Sequence, residues 1–147
     1  MRWLLDTNVI SEGMRPRPSH SVMEWIAEQP PEQLAISDIT LAELQYGGAK
    51  TLESIQRRRF ERWLATVVEL FHGRTLPITV AILTDWLTLA HQLRARGRPQ
   101  SAPDLMIAST ARIHDLVVVS RNVRDFADTG IVVYDPWNDQ THRMDPP

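Results

Sequence analysis

The chain has 147 residues, 43% of them hydrophobic, which is enough for one domain that buries its own core without cross-links. With no cysteine, disulfides and thiolate metal sites are excluded, and any ion must be held by oxygen or by the five histidines. A net charge of -2 weighs against a broad basic surface of the kind that binds nucleic acid without further help.

The average hides a pattern. Fifteen of the sixteen basic residues are arginine, and six of these fall in two short runs, Arg57-Arg58-Arg59 and Arg94, Arg96, Arg98. Arginine's planar fork grips phosphate or carboxylate with two bonds at once, although solvated helix faces are the plainer reading of both runs. Apolar runs such as Leu116 to Val119 fall far short of the roughly 20 residues that span a bilayer. Met1-Arg2-Trp3 leads straight into structure without a hydrophobic signal region, so the expectation is a soluble cytoplasmic protein with no membrane partner.

In chain order, Trp3-Leu4-Leu5 reads as a buried strand stopped at Asp6, and Thr7-Asn8 as turn and cap formers. Ser19 can cap a helix carrying Val22, Trp25 and Ile26, which Pro30-Pro31 ends, and Leu34 to Ser37 is a second strand. From Ile39 the pattern turns helical, with Ile39, Ala42, Glu43 and Tyr46 on one inward face, until Gly47-Gly48 breaks it. Leu52 to Leu70 reads as a long amphipathic helix and Thr75 to Ile78 as a short strand. Thr79 caps a further helix carrying Val80, Leu83, Leu87, Ala90 and Leu93, closed by Gly97. Pro103 suits a first helical position, opening a small-residue helix to about His114, and Leu116 to Val119 and Ile131 to Tyr134 complete the strands. The segment from Asp135 to Pro147 is polar and proline-bearing, a tail that wraps the surface or is disordered.

Short strands alternating with helices predict a three-layer α/β/α fold around a mainly parallel sheet of about four to five strands. In such a sheet ligands bind beyond the carboxyl ends of the strands, where strand order reverses. Asp6 ends the first strand, and Ser120, Arg121 and Asn122 follow the Leu116 to Val119 strand to the same edge. Glu43 shares its helix face with apolar residues, where an unpaired carboxylate is costly, and Asp104 opens a helix on the side of Ile107, Ala108 and Ala111.

Each acid has a simpler use: Asp6 as a cap, Asp104 as a complement to a helix dipole, Glu43 as the partner of an arginine. Converging, they would repel by a few kcal/mol per pair at about 5 Å and an effective dielectric near 20. A divalent cation removes that penalty, and all-oxygen ligands select magnesium or manganese. Such an ion can activate water and neutralise charge during phosphodiester cleavage.

These residues carry a resemblance. Leu4-Leu5-Asp6-Thr7-Asn8-Val9-Ile10-Ser11-Glu12, Ile39-Thr40-Leu41-Ala42-Glu43-Leu44, Ala102-Pro103-Asp104-Leu105-Met106-Ile107-Ala108 and Ser120-Arg121-Asn122 with Asp125-Phe126 occur in order. From residue 3 to about Trp137 the chain resembles the PIN-domain ribonucleases, and among them the VapC-like toxins of bacterial type II toxin-antitoxin pairs in the FitB-like branch. The resemblance implies a PIN-like nuclease domain over residues 1–137, followed by a polar tail over 138–147.

It further implies Asp6, Glu43 and Asp104 as catalytic acids, with Asp6 and Asp104 the direct metal ligands. Thr7, Asn8, Ser120 and Asn122 become the groups that orient them. The cofactor implied is Mg2+, for which Mn2+ substitutes. Where the family often has a fourth acid this chain has Asn122, which brings no charge. Asp125, three residues on, is a candidate replacement or an ordinary surface cap, and one metal is expected rather than two. The implied partners are RNA, a second copy of the chain, and a small VapB-like antitoxin that covers the active site and alone contacts operator DNA. Trp25, Trp63 and Trp86 are candidate anchors for such partners, with core packing the commoner fate of helical tryptophan.

Two other sheet-edge acid chemistries fit less well. A haloacid-dehalogenase-like phosphatase needs a second Asp where Asn8 stands, and both it and a response-regulator receiver want a nearby lysine, whereas the chain's lone lysine is Lys50, past Gly47-Gly48. A non-enzymatic alternative is a dimerising partner of a DNA-binding antitoxin whose own cleavage is vestigial.

Overall fold

The computed structural model describes residues 1–50 and 54–147. Five short parallel strands, β1 (Trp3–Leu5), β2 (Leu34–Ser37), β3 (Thr75–Leu76), β4 (Val117–Val119) and β5 (Val132–Asp135), are joined at one edge by an antiparallel β6 (Gln140–Arg143). The order is β3-β2-β1-β4-β5-β6. The chain therefore runs outward from β1 through β2 to β3, then crosses back to lay β4 on the other side of β1. Strand order reverses between β1 and β4, and the crevice for a ligand opens at their carboxyl ends.

Alternation along each strand divides the interior in two. Leu4, Ala35, Val118 and Val133 face a core closed by α5 (Val80–Ala95) and α6 (Ala102–His114), where Leu89, Leu93, Leu105, Ile107, Ala108 and Phe126 are buried. Leu5, Leu34, Ile36 and Val119 face a second core under α1 (Thr7–Glu12), α2 (His20–Glu28), α3 (Asp38–Lys50) and α4 (Ser54–Leu70), with Val9, Val22, Leu44, Val67 and Phe71. This is the expected three-layer α/β/α arrangement.

Several local expectations change. Thr7 to Glu12 is a helix rather than a turn: Asp6, extended at ψ 159, accepts a bond from the Thr7 amide and starts it, and burial of Val9 holds it down. Gly47-Gly48 does not end α3, which continues to Lys50. At Gly48 a β-carbon would lie 2.0 Å from the Phe60 ring, so the glycine serves the close approach of α4. Residues 51–53, the start of the long helix expected from Leu52, lie outside the described residues.

The inward face of α3 carries Thr40 and Leu44, while Tyr46 is 65% exposed. On α5 the buried residues are Ile82, Leu89 and Leu93, and of the expected apolar face Val80, Leu83 and Leu87 point outward. The polar tail supplies β6, the sixth strand: with backbone pairing to β5 as its reward, Gln140–Arg143 needs no apolar side chains to be a strand.

Candidate active site

β1 delivers Asp6 to the crevice, and its amide donates to the Val119 carbonyl at 3.0 Å, fixing it against the end of β4. The residue is 5% exposed. Oδ1 accepts the Thr7 amide at 2.7 Å; Oδ2 accepts Asn8 Nδ2 at 2.8 Å and Ser120 Oγ at 2.6 Å. The Ser120 hydroxyl is saturated, since while donating to Asp6 it accepts Asn8 Nδ2 and the Asn122 amide, each at 3.0 Å. Asn8 Oδ1 in turn accepts the Arg121 amide at 3.2 Å. The start of α1 and the loop after β4 are thus knotted around one carboxylate.

Glu43 reaches the same crevice from α3, its Oε2 accepting the Thr7 hydroxyl at 2.5 Å. Asp104 lies in the first turn of α6, where Ser101 caps the helix by accepting the Asp104 amide at 3.3 Å and donates to the Asp104 carboxylate. Ser101 was not singled out from the sequence, although Ser101-Ala-Pro-Asp104 has the spacing of a capping box.

Electrostatics tie the acids together. Burial pushes the Asp6 carboxyl up to about 6, against the lowering effect of its bonds to Ser120 and Thr7, and the charges of Asp104 and Glu43 add to the rise. Asp104 is also raised, by burial and then by Asp125 and Glu43. The charge of Asp125 thus bears on Asp104, whereas Asn122 contributes its backbone amide and opens the short helical turn Val123–Phe126 without a side-chain cap bond. Among the described residues, no three acidic or histidine side chains are gathered into a ready-made ion cage.

A stability prediction follows from Asp6. The folded chain holds this proton up to about pH 6, the unfolded chain only to 3.8, so in that window folding takes up a proton and stability falls as pH rises. The loss attributable to Asp6 is about 3 kcal/mol across the window, at about 1.4 kcal/mol per unit. Urea denaturation in EDTA at several pH values checks this: Asp6→Asn should flatten the decline.

The arginine runs and tryptophans lie elsewhere. Arg57, Arg58 and Arg59 are exposed on α4. Arg98 grips both oxygens of Asp128 at 2.8 and 2.9 Å, and Arg96 donates to the Pro146 carbonyl at 3.4 Å, so the second run is partly spent on bracing the chain's end. Trp25 packs against Trp3 and Tyr134 with ring centres 5.3 and 5.1 Å away. Trp63 lies 5.5 Å from Phe60, and Trp86 rests on the α5–α6 core.

The sequence pattern of the PIN domain matches residues 3–132, a stretch that includes Asp6, Glu43, Asp104 and Asp125. The chain belongs to the PIN-domain family. Among PIN-domain relatives it is similar to Toxin FitB of Neisseria gonorrhoeae, 35% identical over 137 residues that cover 92% of this chain and 99% of that protein. VapC ribonuclease Y4jK of Sinorhizobium fredii is 34% identical over 135 residues, covering 91% and 96%. The solved structure of FitAB bound to IR36 DNA fragment superposes with a TM-score of 0.85 at 32% identity, over 96% of this chain and 99% of that one. No helix of this PIN domain, among the described residues, is long and apolar enough to cross a membrane.

Proposed function

We propose that this PIN domain is a magnesium-dependent endoribonuclease and the toxin of a VapBC-type toxin-antitoxin pair. The observation that carries the reading is Asp6: a buried carboxylate at the switch point of the sheet, its charge opposed by Glu43 and Asp104. Such an excess of negative charge, with donors that are all oxygen, fits a hard divalent cation. Asp6 and Asp104 would hold it. Bound there, magnesium supplies a more acidic water and neutralises charge on the phosphodiester as it is cut.

The chain's own groups do the rest. A carboxylate has about four lone-pair sites, and Asp6 spends two of its three bonds on Oδ2, so Oδ1 has room for a further partner. Ser120, Asn8 and the Thr7 amide prevent that carboxylate from turning, which keeps the site preorganised. Glu43 Oε2 is anchored by Thr7, leaving Oε1 to orient a water. Ser101 sets the angle of Asp104.

Two surfaces support the partners. A groove of about 350 Å³ between α2 and α4, lined by Val9, Ile10, Met23, Ile26, Trp63 and Phe71, suits the apolar face of an antitoxin helix. The likeness to Toxin FitB and to the FitAB structure bound to a DNA fragment supports a bound antitoxin, through which this chain would meet operator DNA. Val80, Leu83 and Leu87 on α5, exposed together with Ile113 on α6, support a homodimer.

The test is cleavage of single-stranded RNA by the purified chain. Activity is expected with magnesium or manganese, and none in EDTA until magnesium is returned. Undiminished cleavage in EDTA, or none with either metal, would remove the proposal.

A further inference from the structure

Next to the acidic crevice lies a second cavity, of about 430 Å³, whose lining includes Asn8, Glu12, Arg15, Arg121, Asn122 and Trp137. It shares Asn8 with the acidic site, where Asn8 Nδ2 lies 2.8 Å from Asp6 Oδ2. Asn8 is thus a wall common to the cavity and the acidic site.

The walls are held from behind. Trp137 follows β5, and its amide donates to Asp135 Oδ1 at 2.9 Å while Asn138 Nδ2 donates to Asp135 Oδ2 at 2.8 Å, so a turn fixes the half-buried indole. Arg121 is exposed, with its amide pinned to Asn8 and its guanidinium 5.7 Å from the centre of the Trp137 ring. Among the described residues no carboxylate lies within ion-pair distance of Arg121. Across the cavity, Glu12 is 3% exposed, accepts the Ser19 amide at 2.7 Å and holds Arg15 at 3.3 Å. Buried Glu12 therefore positions a second guanidinium on the rim.

A flat aromatic ring beside a guanidinium with no carboxylate partner recognises a base and its phosphate, because every base has a face to stack and every linkage a charge to pair. The α2–α4 groove, by contrast, is lined mainly by apolar side chains, with Gln29 and Arg74 its polar ones, and suits a peptide. We propose that the Trp137–Arg121 cavity binds the RNA nucleotide adjoining the scissile phosphate, the base stacking on Trp137 and the phosphate pairing with Arg121. The inference rests on the ribonuclease reading and adds to it the residues that select the flanking nucleotide.

The test uses the full chain and a short single-stranded RNA, intact or with an abasic residue on either side of the cut. Trp137→Leu and Arg121→Ala are each expected to raise KM about tenfold, the size of a lost base-stacking contact, with kcat falling less than KM rises. An abasic residue at the bound position should cost the wild-type chain a similar factor and cost Trp137→Leu nothing more. Should Trp137→Leu not fold, exposed Arg121→Ala and the abasic substrates carry the test alone. Binding of the same RNA in EDTA, read by fluorescence anisotropy, separates the two readings. If wild type cleaves nothing, the ribonuclease reading fails, and weaker RNA binding by the variants still supports the cavity. Unchanged KM and affinity in both variants overturns the inference, as does a loss confined to affinity for an antitoxin segment.

Discussion

Asp6→Asn and Asp104→Asn are each expected to lower magnesium-supported RNA cleavage by on the order of 10³-fold, because several kcal/mol of charge stabilisation is lost with the cation and each 1.4 kcal/mol is tenfold. The fold should survive. An amide at position 6 keeps an oxygen for the Thr7 amide, while its nitrogen gives up the bonds that Oδ2 accepts from Asn8 and Ser120. The substitution also removes a charge that burial and two neighbouring carboxylates oppose. With the lost bonds and the relieved charge opposed, far-ultraviolet circular dichroism should match that of the wild-type chain and the urea midpoint in EDTA should stay close to it. At position 104 the Ser101 cap accepts the backbone amide, a bond that Asn leaves in place. Full activity in either variant would show that the acids serve structure only.

Phe126→Ala is expected to destabilise the domain by about 3–5 kcal/mol, the range for emptying a buried aromatic site. Phe126 is fully buried in the α5–α6 core and its carbonyl accepts the Thr129 hydroxyl at 2.5 Å. It also seats the turn Val123–Phe126, which places Asp125 where its charge acts on Asp104. Loss of the ring should appear as a lower urea midpoint. Where the variant still folds, it should appear as weaker magnesium binding as well. A stability change within about 0.5 kcal/mol, the range of ordinary surface substitutions, would show that the ring does not anchor that turn.

Strand positions were legible in the sequence because Trp3-Leu4-Leu5, Leu34 to Ser37 and Leu116 to Val119 are apolar runs buried on both faces, and their ends place Asp6 and Ser120 at one edge. The helix ends at Thr79, Gly97 and Pro103 were legible from cap chemistry that acts locally. What escaped depends on contacts distant in the chain. β6 exists through pairing with β5, and α3 runs through two glycines because Phe60 of α4 packs there. On α5, the expected face of Val80, Leu83, Leu87, Ala90 and Leu93 holds at Ala90 and Leu93, which pack in the core, whereas Val80, Leu83 and Leu87 are exposed and Ile82 and Leu89 are buried in their place. Periodicity says that an apolar face exists without saying which of two faces the rest of the domain covers. For the site, Asp6, Glu43 and Asp104 were legible as acids in apolar surroundings, and the structure places them in one electrostatic field. Asp125 acts on Asp104 because it sits within the short turn Val123–Phe126 that follows the loop after β4, a geometry that sequence spacing alone leaves open.

Hydrolysis of RNA by the Asp6–Glu43–Asp104 crevice with a bound divalent ion, as proposed, is tested most directly by the ends of the products. Attack by water with departure of the 3'-oxygen leaves a 3'-hydroxyl on one fragment and a 5'-phosphate on the other. Mass spectrometry of fragments from a defined RNA should find those ends with the wild-type chain in magnesium, and no fragments in EDTA or with Asp104→Asn. Fragments ending in a 2',3'-cyclic phosphate, formed equally well in EDTA, would contradict the account.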